Sequence, residues 1–521
     1  MKKNRKNILN KGKKKAIKII FGRSAVIIVL LALQFFLLFA VFAGFEKYLT
    51  VAYGGITVVA LLMSLYIAAT SDNPAVKLSW TALMILTPVF GALLYIFIHT
   101  EIGHRIMNRQ LSRVLSDTSH LLVQDKSVSD EALCTDKALY NLSHYIQTHS
   151  GAPIYRNTAC SYYGTGEAMF EDLKKELEKA TDFIFLEFFI VERGEMWDSI
   201  LEILKRKSAE GVEVRLLYDG TCSVSLLPSS YPKKLSEYGI KCKVFSPLLP
   251  FVSTHYNNRD HRKIAVIDGK CAFTGGINLA DEYINKKELF GHWKDTAVKI
   301  EGGATDSFAL MFLQMWNVTG SPEDYCRYIG KSEKSTTASD GFIIPFGDSP
   351  LDDERVGENV YLDIINTAKD YVYIFTPYLI LDSEMTTALQ NAAKRGVDVR
   401  ICIPHIPDHK IAFAIAKTHY YDLIPHGVRI YEYTPGFIHA KVVVSDGIKA
   451  VVGTINFDYR SLYLHFECDS FIYGSSLITD IECDAVNTFK KSCEITRGDL
   501  RKMVIFRLIL SGVLKLIAPL M

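Results

Sequence analysis

Two regimes of hydrophobic patterning divide the chain. Within the first hundred residues lie three apolar runs nearly free of charge, at residues 24–45, 49–69 and 79–98. Each is about the ~20 residues a membrane-spanning helix needs, and three in succession argue against buried core helices. The first run is too long for the apolar segment of a cleaved leader, lacks a clear small-residue cleavage site, and is followed by further runs. The pattern therefore predicts transmembrane helices over 24–98. Pro88 interrupts the third run, which predicts a kink or an incomplete crossing there.

After a polar, partly helical connector at 99–150, strands and helices alternate. Asp182-Phe-Ile-Phe-Leu-Glu187-Phe-Phe-Ile190 reads as a buried strand. An amphipathic helix with Trp197, Ile200, Leu201 and Leu204 on one face follows, and then a second strand over Gly211–Asp219. The same order returns at Asp370–Tyr378, around Ala388–Arg395, and at Gly396–Ile403. Alternation of this kind implies an α/β fold of βαβ units with a mixed sheet in each half. The halves are expected at 151–330 and 346–500, joined by a Ser/Thr-rich linker at 331–345. The apolar end, 501–521, carries Arg507 and Lys515 and reads as a docking or interfacial helix.

Charge sharpens this picture. Residues 1–23 hold ten Lys/Arg and no acid, which places them in the cytoplasm and suits contact with anionic lipid. Removing those ten from 59 leaves 49 basic residues against 57 acidic, a net of −8 for the body. A nucleic-acid enzyme is expected to show the opposite sign, so no nucleic-acid partner is indicated. All ten cysteines fall between Cys134 and Cys493 without metal-ligand spacing, so neither zinc nor any other metal or cofactor is indicated. Cys271 and Cys402 sit in apolar strands, which suits reduced thiols in a reducing compartment. Three crossings would put the body outside and two would keep it inside. Arg105, Arg109 and Arg113 favour the cytoplasm.

The chemistry lies in a duplication. His261-Arg-Lys263 is followed by Asp268 and then Gly275-Gly-Ile-Asn278. His439-Ala-Lys441 is followed by Asp446 and then Gly453-Thr-Ile-Asn456, every corresponding residue lying 178 positions on. One such motif is a weak signal, but two in register are a strong one. On a strand, His and the Lys two residues on share a face, whereas the Asp, an odd seven positions beyond the His, points away. Asp268-Gly269 and Asp446-Gly447 also suit hairpin turns. Better candidates to orient the imidazoles are Asp295, before an apolar strand after the first motif, and Glu467, likewise after the second. Two such histidines can divide attack on phosphorus from proton transfer. The two lysines would hold the phosphate oxygens, and Asn278 and Asn456 would donate hydrogen bonds to them. His405 and His409 lie in a polar loop and carry no comparable signal.

The duplicated motif resembles the signature of the phospholipase D superfamily. From about residue 50 to the end the chain resembles bacterial cardiolipin synthases of that type. The resemblance is carried by Asn73-Pro74, Pro88-Val-Phe-Gly91, Gly275-Gly-Ile-Asn278-Leu-Ala-Asp-Glu-Tyr283, His292-Trp-Lys-Asp295-Thr, Pro407-Asp-His-Lys410 and Gly453-Thr-Ile-Asn456-Phe-Asp458-Tyr-Arg460-Ser461. It implies two phospholipase D-like α/β/α sandwich domains with the active site at their interface. It further implies phosphatidylglycerol as substrate, a phosphatidyl-histidine intermediate, and cardiolipin and glycerol as products. The catalytic motifs would be His261, Lys263, Asp268 and His439, Lys441, Asp446, with His261 attacking and His439 as acid/base. A multi-pass place in the cell membrane follows, with the catalytic domain cytoplasmic. The run at 24–45 is one more membrane segment than the usual two. Related phosphatidyltransferases or hydrolytic phospholipases D with another acceptor share the motifs. A nuclease fits poorly with the apolar runs and the acidic body, and a decayed scaffold fits poorly with two intact copies.

Overall fold

The computed structural model describes residues 32–33, 35–36, 46–70, 73–99, 102–156, 158–247, 258–318, 320, 323–331, 340–352, 354–501, 512–516 and 518–520. The basic tail at 1–23, nearly all of the run at 24–45, most of the linker at 331–345 and most of 501–521 lie outside these residues.

The chain forms two compact units. The first contains helices α1 (Glu46–Ala69), α2 (Pro74–Leu86) and α3 (Pro88–His99). Asn73 caps α2 by accepting from the Ala75 N–H, and Pro74 occupies the first turn, where a missing N–H costs nothing. The expected third span is not one helix. Thr87 leaves the helical region just before Pro88, as residues preceding proline tend to do, and the run becomes the α2–α3 pair. Gly91 allows the turn to close, since a Cβ there would come within 2.9 Å of Met84 Cα. Trp80 and Tyr95 then meet edge to face, with centroids 5.2 Å apart. Among the described residues no helix is long and apolar enough to cross a membrane.

The second unit carries two sheets of the same topology. Strands β1 (Thr158–Tyr163), β2 (Phe183–Phe188), β3 (Glu213–Asp219), β4 (Lys241–Phe245), β5 (Arg259–Asp260), β6 (Lys263–Ile267), β7 (Cys271–Gly275), β8 (His292–Lys294) and β9 (Ala297–Gly302) belong to the first half. Strands β10 (Phe342–Asp348), β11 (Tyr371–Phe375), β12 (Asp398–Pro404), β13 (Arg429–Tyr433), β14 (Gly436–Ile438), β15 (Val442–Ser445), β16 (Lys449–Gly453), β17 (His465–Tyr473) and β18 (Ser492–Ile495) belong to the second. The first sheet runs β1-β9-β7-β6-β2-β3-β4 and the second β10-β17-β16-β15-β11-β12-β13, with β18 added at its edge. In each, three adjacent strands are parallel and the rest antiparallel, as alternating βαβ units and hairpins require.

Apolar faces of the helices Gly166–Lys179 and Glu195–Ala209 cover the first sheet through Leu173, Leu177, Trp197, Ile200 and Leu204. The expected boundaries shift in two places. Ala132, Leu139, Leu142 and Ile146, from the stretch expected as a polar connector, are buried in the core of the second half. The second sheet begins inside the expected linker, because Phe342-Ile-Ile-Pro-Phe346 pairs with β17.

Two short strands leave their own half. β5 pairs in parallel with β17, His465 opposite Arg259 and Phe466 opposite Asp260. β14 pairs in parallel with β8, Phe437 opposite Trp293 and Ile438 opposite Lys294. Each motif histidine follows directly, in the gap between the borrowed sheet and its own.

Candidate active site

This strand exchange sets the geometry. The His261 N–H donates to Phe466 O at 2.9 Å, and the His439 N–H donates to Lys294 O at 2.7 Å. The next residue on each borrowed strand is a fully buried carboxylate. His261 Nδ1 lies 2.8 and 2.9 Å from the two oxygens of Glu467, and His439 Nδ1 lies 2.7 Å from Asp295 Oδ2. Asp295 and Glu467 therefore do contact the imidazoles, but crosswise: each carboxylate serves the histidine of the other half. They are structural equivalents, since Asp295 stands two residues before the partner of Gly275 and Glu467 two before the partner of Gly453.

Lys263 and Lys441 are buried alongside, each donating to the backbone carbonyl of its motif histidine. Lys441 Nζ also lies 2.9 Å from His439 Nδ1 and 3.1 Å from Nε2. The groups share one electrostatic environment, with the charge of Lys263 acting on His439 and that of Glu467 on Lys441. Burial disfavours every charge here. It holds His261 well below the usual imidazole range against the attraction of Glu467, and, with Lys441 adding to it, pushes His439 down to about 4. It also pushes Lys263 down to about 8 and Lys441 to about 7. The carboxylates go the other way. Burial works against their ionisation, yet His261 holds Glu467, and His439 with Lys441 holds Asp295, below the ordinary range. Two neutral imidazoles thus face two anionic carboxylates. With its Nδ1–H donated to a carboxylate, each ring keeps the Nε2 lone pair for chemistry.

The aspartates of the motif are elsewhere. Asp268 and Asp446, at φ 53° and 55°, follow the far ends of β6 and β15. Asp268 accepts from the N–H groups of Thr181, Asp182 and Phe183 and from the Thr181 hydroxyl. Asp446 accepts from the N–H groups of Lys369, Asp370 and Tyr371. They stand where their parity on the strand puts them, at strand-capping positions, and not at the catalytic ones that the resemblance implied. Seven residues of extended chain put about 23 Å between each and its histidine, and their oxygens are spent capping the neighbouring strand.

The asparagines are not equivalent either. Asn278 is committed on both atoms, Oδ1 accepting from Ile190 N–H and Nδ2 donating to the Tyr283 hydroxyl. Asn456 is buried with its Oδ1 unpartnered. Of the loop histidines, His405 meets Glu432 and His409 is exposed.

Sequence reasoning passed over the aromatic walls. Trp293 and Tyr283 flank His439, with ring centroids at 5.5 and 5.4 Å, and Phe189 flanks His261 at 5.0 Å. His465 occupies the position equivalent to Trp293, 5.4 Å from the His261 ring. The signal for it was the His465-x-Glu467 alternation, which puts both side chains on one face of β17. His261, His465 and Glu467, which no cysteine or histidine spacing singles out, bring three potential ligand atoms within 4.8 Å of one another.

Known proteins resemble this chain over most of its length. The family described as "Cardiolipin synthase, PLD-like domain" matches residues 173–316 and 361–487, one segment in each half. A protein of Streptococcus mutans without an assigned function is 49% identical over 88% of this chain and 99% of its own length. The cardiolipin synthase of Halalkalibacterium halodurans is 31% identical over 89% of this chain and 93% of its own. That of Geobacillus kaustophilus is 33% identical over 88% and 92%. Among solved structures, the phosphatidylserine synthase of Haemophilus influenzae superposes with a TM-score of 0.54 at 14% identity, covering 73% of this chain and all of that one, a likeness of fold.

Proposed function

Because the chain belongs to the phospholipase D-like cardiolipin synthase family, we propose that it is itself a cardiolipin synthase, a phosphatidyltransferase that joins two phosphatidylglycerols into cardiolipin and glycerol. The crossed histidine–carboxylate pairs, closing over two buried lysines, carry this reading.

His261 attacks the phosphorus of the first phosphatidylglycerol through Nε2 while Glu467 holds Nδ1–H and balances the imidazolium charge that forms. The phosphorus–oxygen bond to the head-group glycerol breaks, and His439, which takes up a proton at Nε2 as the phosphate anion arrives, gives that proton to the departing oxygen. The head-group hydroxyl of a second phosphatidylglycerol then returns a proton to His439 and attacks the phosphohistidine, releasing cardiolipin and free His261. Lys263, Lys441 and Asn456 hold the non-bridging oxygens throughout. The arriving phosphate anion restores the protons that burial strips from the lysines. Asp268 and Asp446 take no part beyond bracing the strands.

The same reading places the enzyme on a membrane, where both lipids diffuse in two dimensions. Support comes from the apolar runs and from α1 and α2, which expose Val58, Leu61, Leu62, Leu65, Ile85 and Leu86. The basic tail and Arg105, Arg109 and Arg113 support a cytoplasmic face for the catalytic unit.

The test is a product analysis in phosphatidylglycerol vesicles containing EDTA. Cardiolipin and glycerol released in equal amounts, and lost in His261→Ala, are expected. Phosphatidic acid with glycerol and no cardiolipin would make the acceptor water and the enzyme a hydrolase.

A further inference from the structure

The two motif histidines have different neighbours. Beside His439 the equivalent position holds an indole, Trp293. Beside His261 it holds a second imidazole, His465, and the same Glu467 carboxylate faces both rings. His465 is 8% exposed, and neither ring nitrogen has a hydrogen-bond partner. Its Nδ1 stops 3.6 Å from Glu467 Oε1, beyond hydrogen-bond reach, while His261 Nδ1 lies 2.8 Å from the other oxygen. A buried imidazole with both nitrogens orphaned is costly, and such groups ordinarily find a partner.

We propose that His261, His465 and Glu467 form an inhibitory binding site for a divalent transition metal of the Zn2+ class. One nitrogen from each ring and one carboxylate oxygen already lie within 4.8 Å of one another. A tetrahedral zinc needs such ligands ~2.0–2.2 Å from the metal, hence roughly 3.5 Å from each other, a closure that small ring rotations supply. Two imidazoles and one carboxylate suit Zn2+ or Co2+ rather than Mg2+ or Ca2+, which prefer all-oxygen sets. The ammonium of Lys263, held at the His261 carbonyl, opposes a dication and keeps the site reversible.

The site deepens the proposed phosphatidyl transfer and rests on that reading for its consequence. The metal takes the Nδ1 lone pair of His261, and the single proton of that neutral ring moves to Nε2. Nε2 then has no lone pair to attack phosphorus. Zinc would thus stop the reaction by fixing the wrong tautomer of the nucleophile. His439 is spared, because among the described residues no second histidine flanks its pair with Asp295.

The experiment uses the purified full chain in detergent micelles, with His465→Asn and His465→Phe as variants and thermal melting to show that each folds. Turnover on phosphatidylglycerol is measured against added Zn2+, with Mg2+ as control, each protein against its own metal-free rate. Co2+ binding is followed separately by its visible d–d absorption. Expected are reversible Zn2+ inhibition relieved by EDTA, no effect of Mg2+, and at least about a tenfold rise in the half-inhibiting Zn2+ concentration in both variants. Intense tetrahedral Co2+ bands that vanish with His465 are also expected. Equal Zn2+ sensitivity in the variants would overturn the site, as would Co2+ spectra showing only near-ultraviolet thiolate bands from exposed Cys134, Cys326, Cys483 and Cys493. His465-dependent Co2+ bands in a chain that makes no cardiolipin would support the metal site and sink the activity instead.

Discussion

Crossed carboxylates predict that Glu467→Gln cripples the histidine of the first half and Asp295→Asn that of the second. Glu467 is fully buried and lies 2.8 Å from His261 Nδ1. A hydrogen bond to a charged group contributes about 1.5–3 kcal/mol, so at ~1.36 kcal/mol per tenfold its loss alone slows attack by roughly 10- to 150-fold. The amide adds a second penalty. Its NH2 donates to Nδ1 and draws the ring proton to Nε2, an error worth up to ~10⁴-fold where a triad aspartate is similarly replaced. Loss between about 10² and 10⁴ is therefore expected. The assay uses two donors: labelled phosphatidylglycerol, and a phosphatidyl ester of p-nitrophenol whose leaving group needs no acid. After an alkaline quench, which preserves phosphohistidine, chain-bound label is counted. Glu467→Gln should fail to take label from either donor. Asp295→Asn should take label from the activated donor and hold it, because the acceptor hydroxyl loses its base. Normal labelling of Glu467→Gln would refute the reasoning, and the opposite pattern in the two variants would exchange the roles of the histidines.

Three further outcomes follow from the same packing. Lys441, pushed down by burial from 10.5 to about 7, binds its proton more weakly folded than unfolded. Its penalty on stability is thus full below about pH 7 and fades as pH rises toward 10.5. Lys441→Met should stabilise the fold near neutral pH by on the order of a few kcal/mol, raising the melting temperature more there than at about pH 9, while abolishing turnover; an unchanged melting point at neutral pH would contradict it. Gly276→Ala should lower kcat by about 10- to 100-fold with little change in Tm, since its Cβ would stand 2.0 Å from Asp295 Oδ1 and drive that carboxylate off His439. Asp268→Ala should cost about 2–4 kcal/mol in urea unfolding, from the backbone N–H groups it leaves unpaired, yet keep the turnover of the folded fraction.

Much of this was legible before any fold was built. An odd spacing from the histidine separates Asp268 and Asp446 from the site because β6 and β15 run regularly up to their turns. Asp295 and Glu467 stand out because each leads into an apolar run after its copy of the motif. The crossing was hidden, since β5 and β14 are two and three residues long, too short for any periodic pattern to show. The unequal asparagines were visible in principle. Tyr283, which occupies Asn278, is matched 178 positions later by Ser461, a side chain too short to do the same. The apolar run at 79–98 read as continuous because hydropathy ignores the backbone, whereas Pro88 and Gly91 decide where the chain doubles back.

The borrowed strands also bear on the life of the polypeptide before it is finished. A chain whose synthesis has reached Asn278 already carries His261, Lys263 and Asn278, all the reactive groups of one motif. It has no Glu467 to set the tautomer of that histidine and no β17 to seat it. The enzyme therefore behaves as a two-key lock whose second key is cut last. A fragment ending between the halves lacks both the carboxylate and the strand that seat His261, so the proposed transfer is expected to be absent from it.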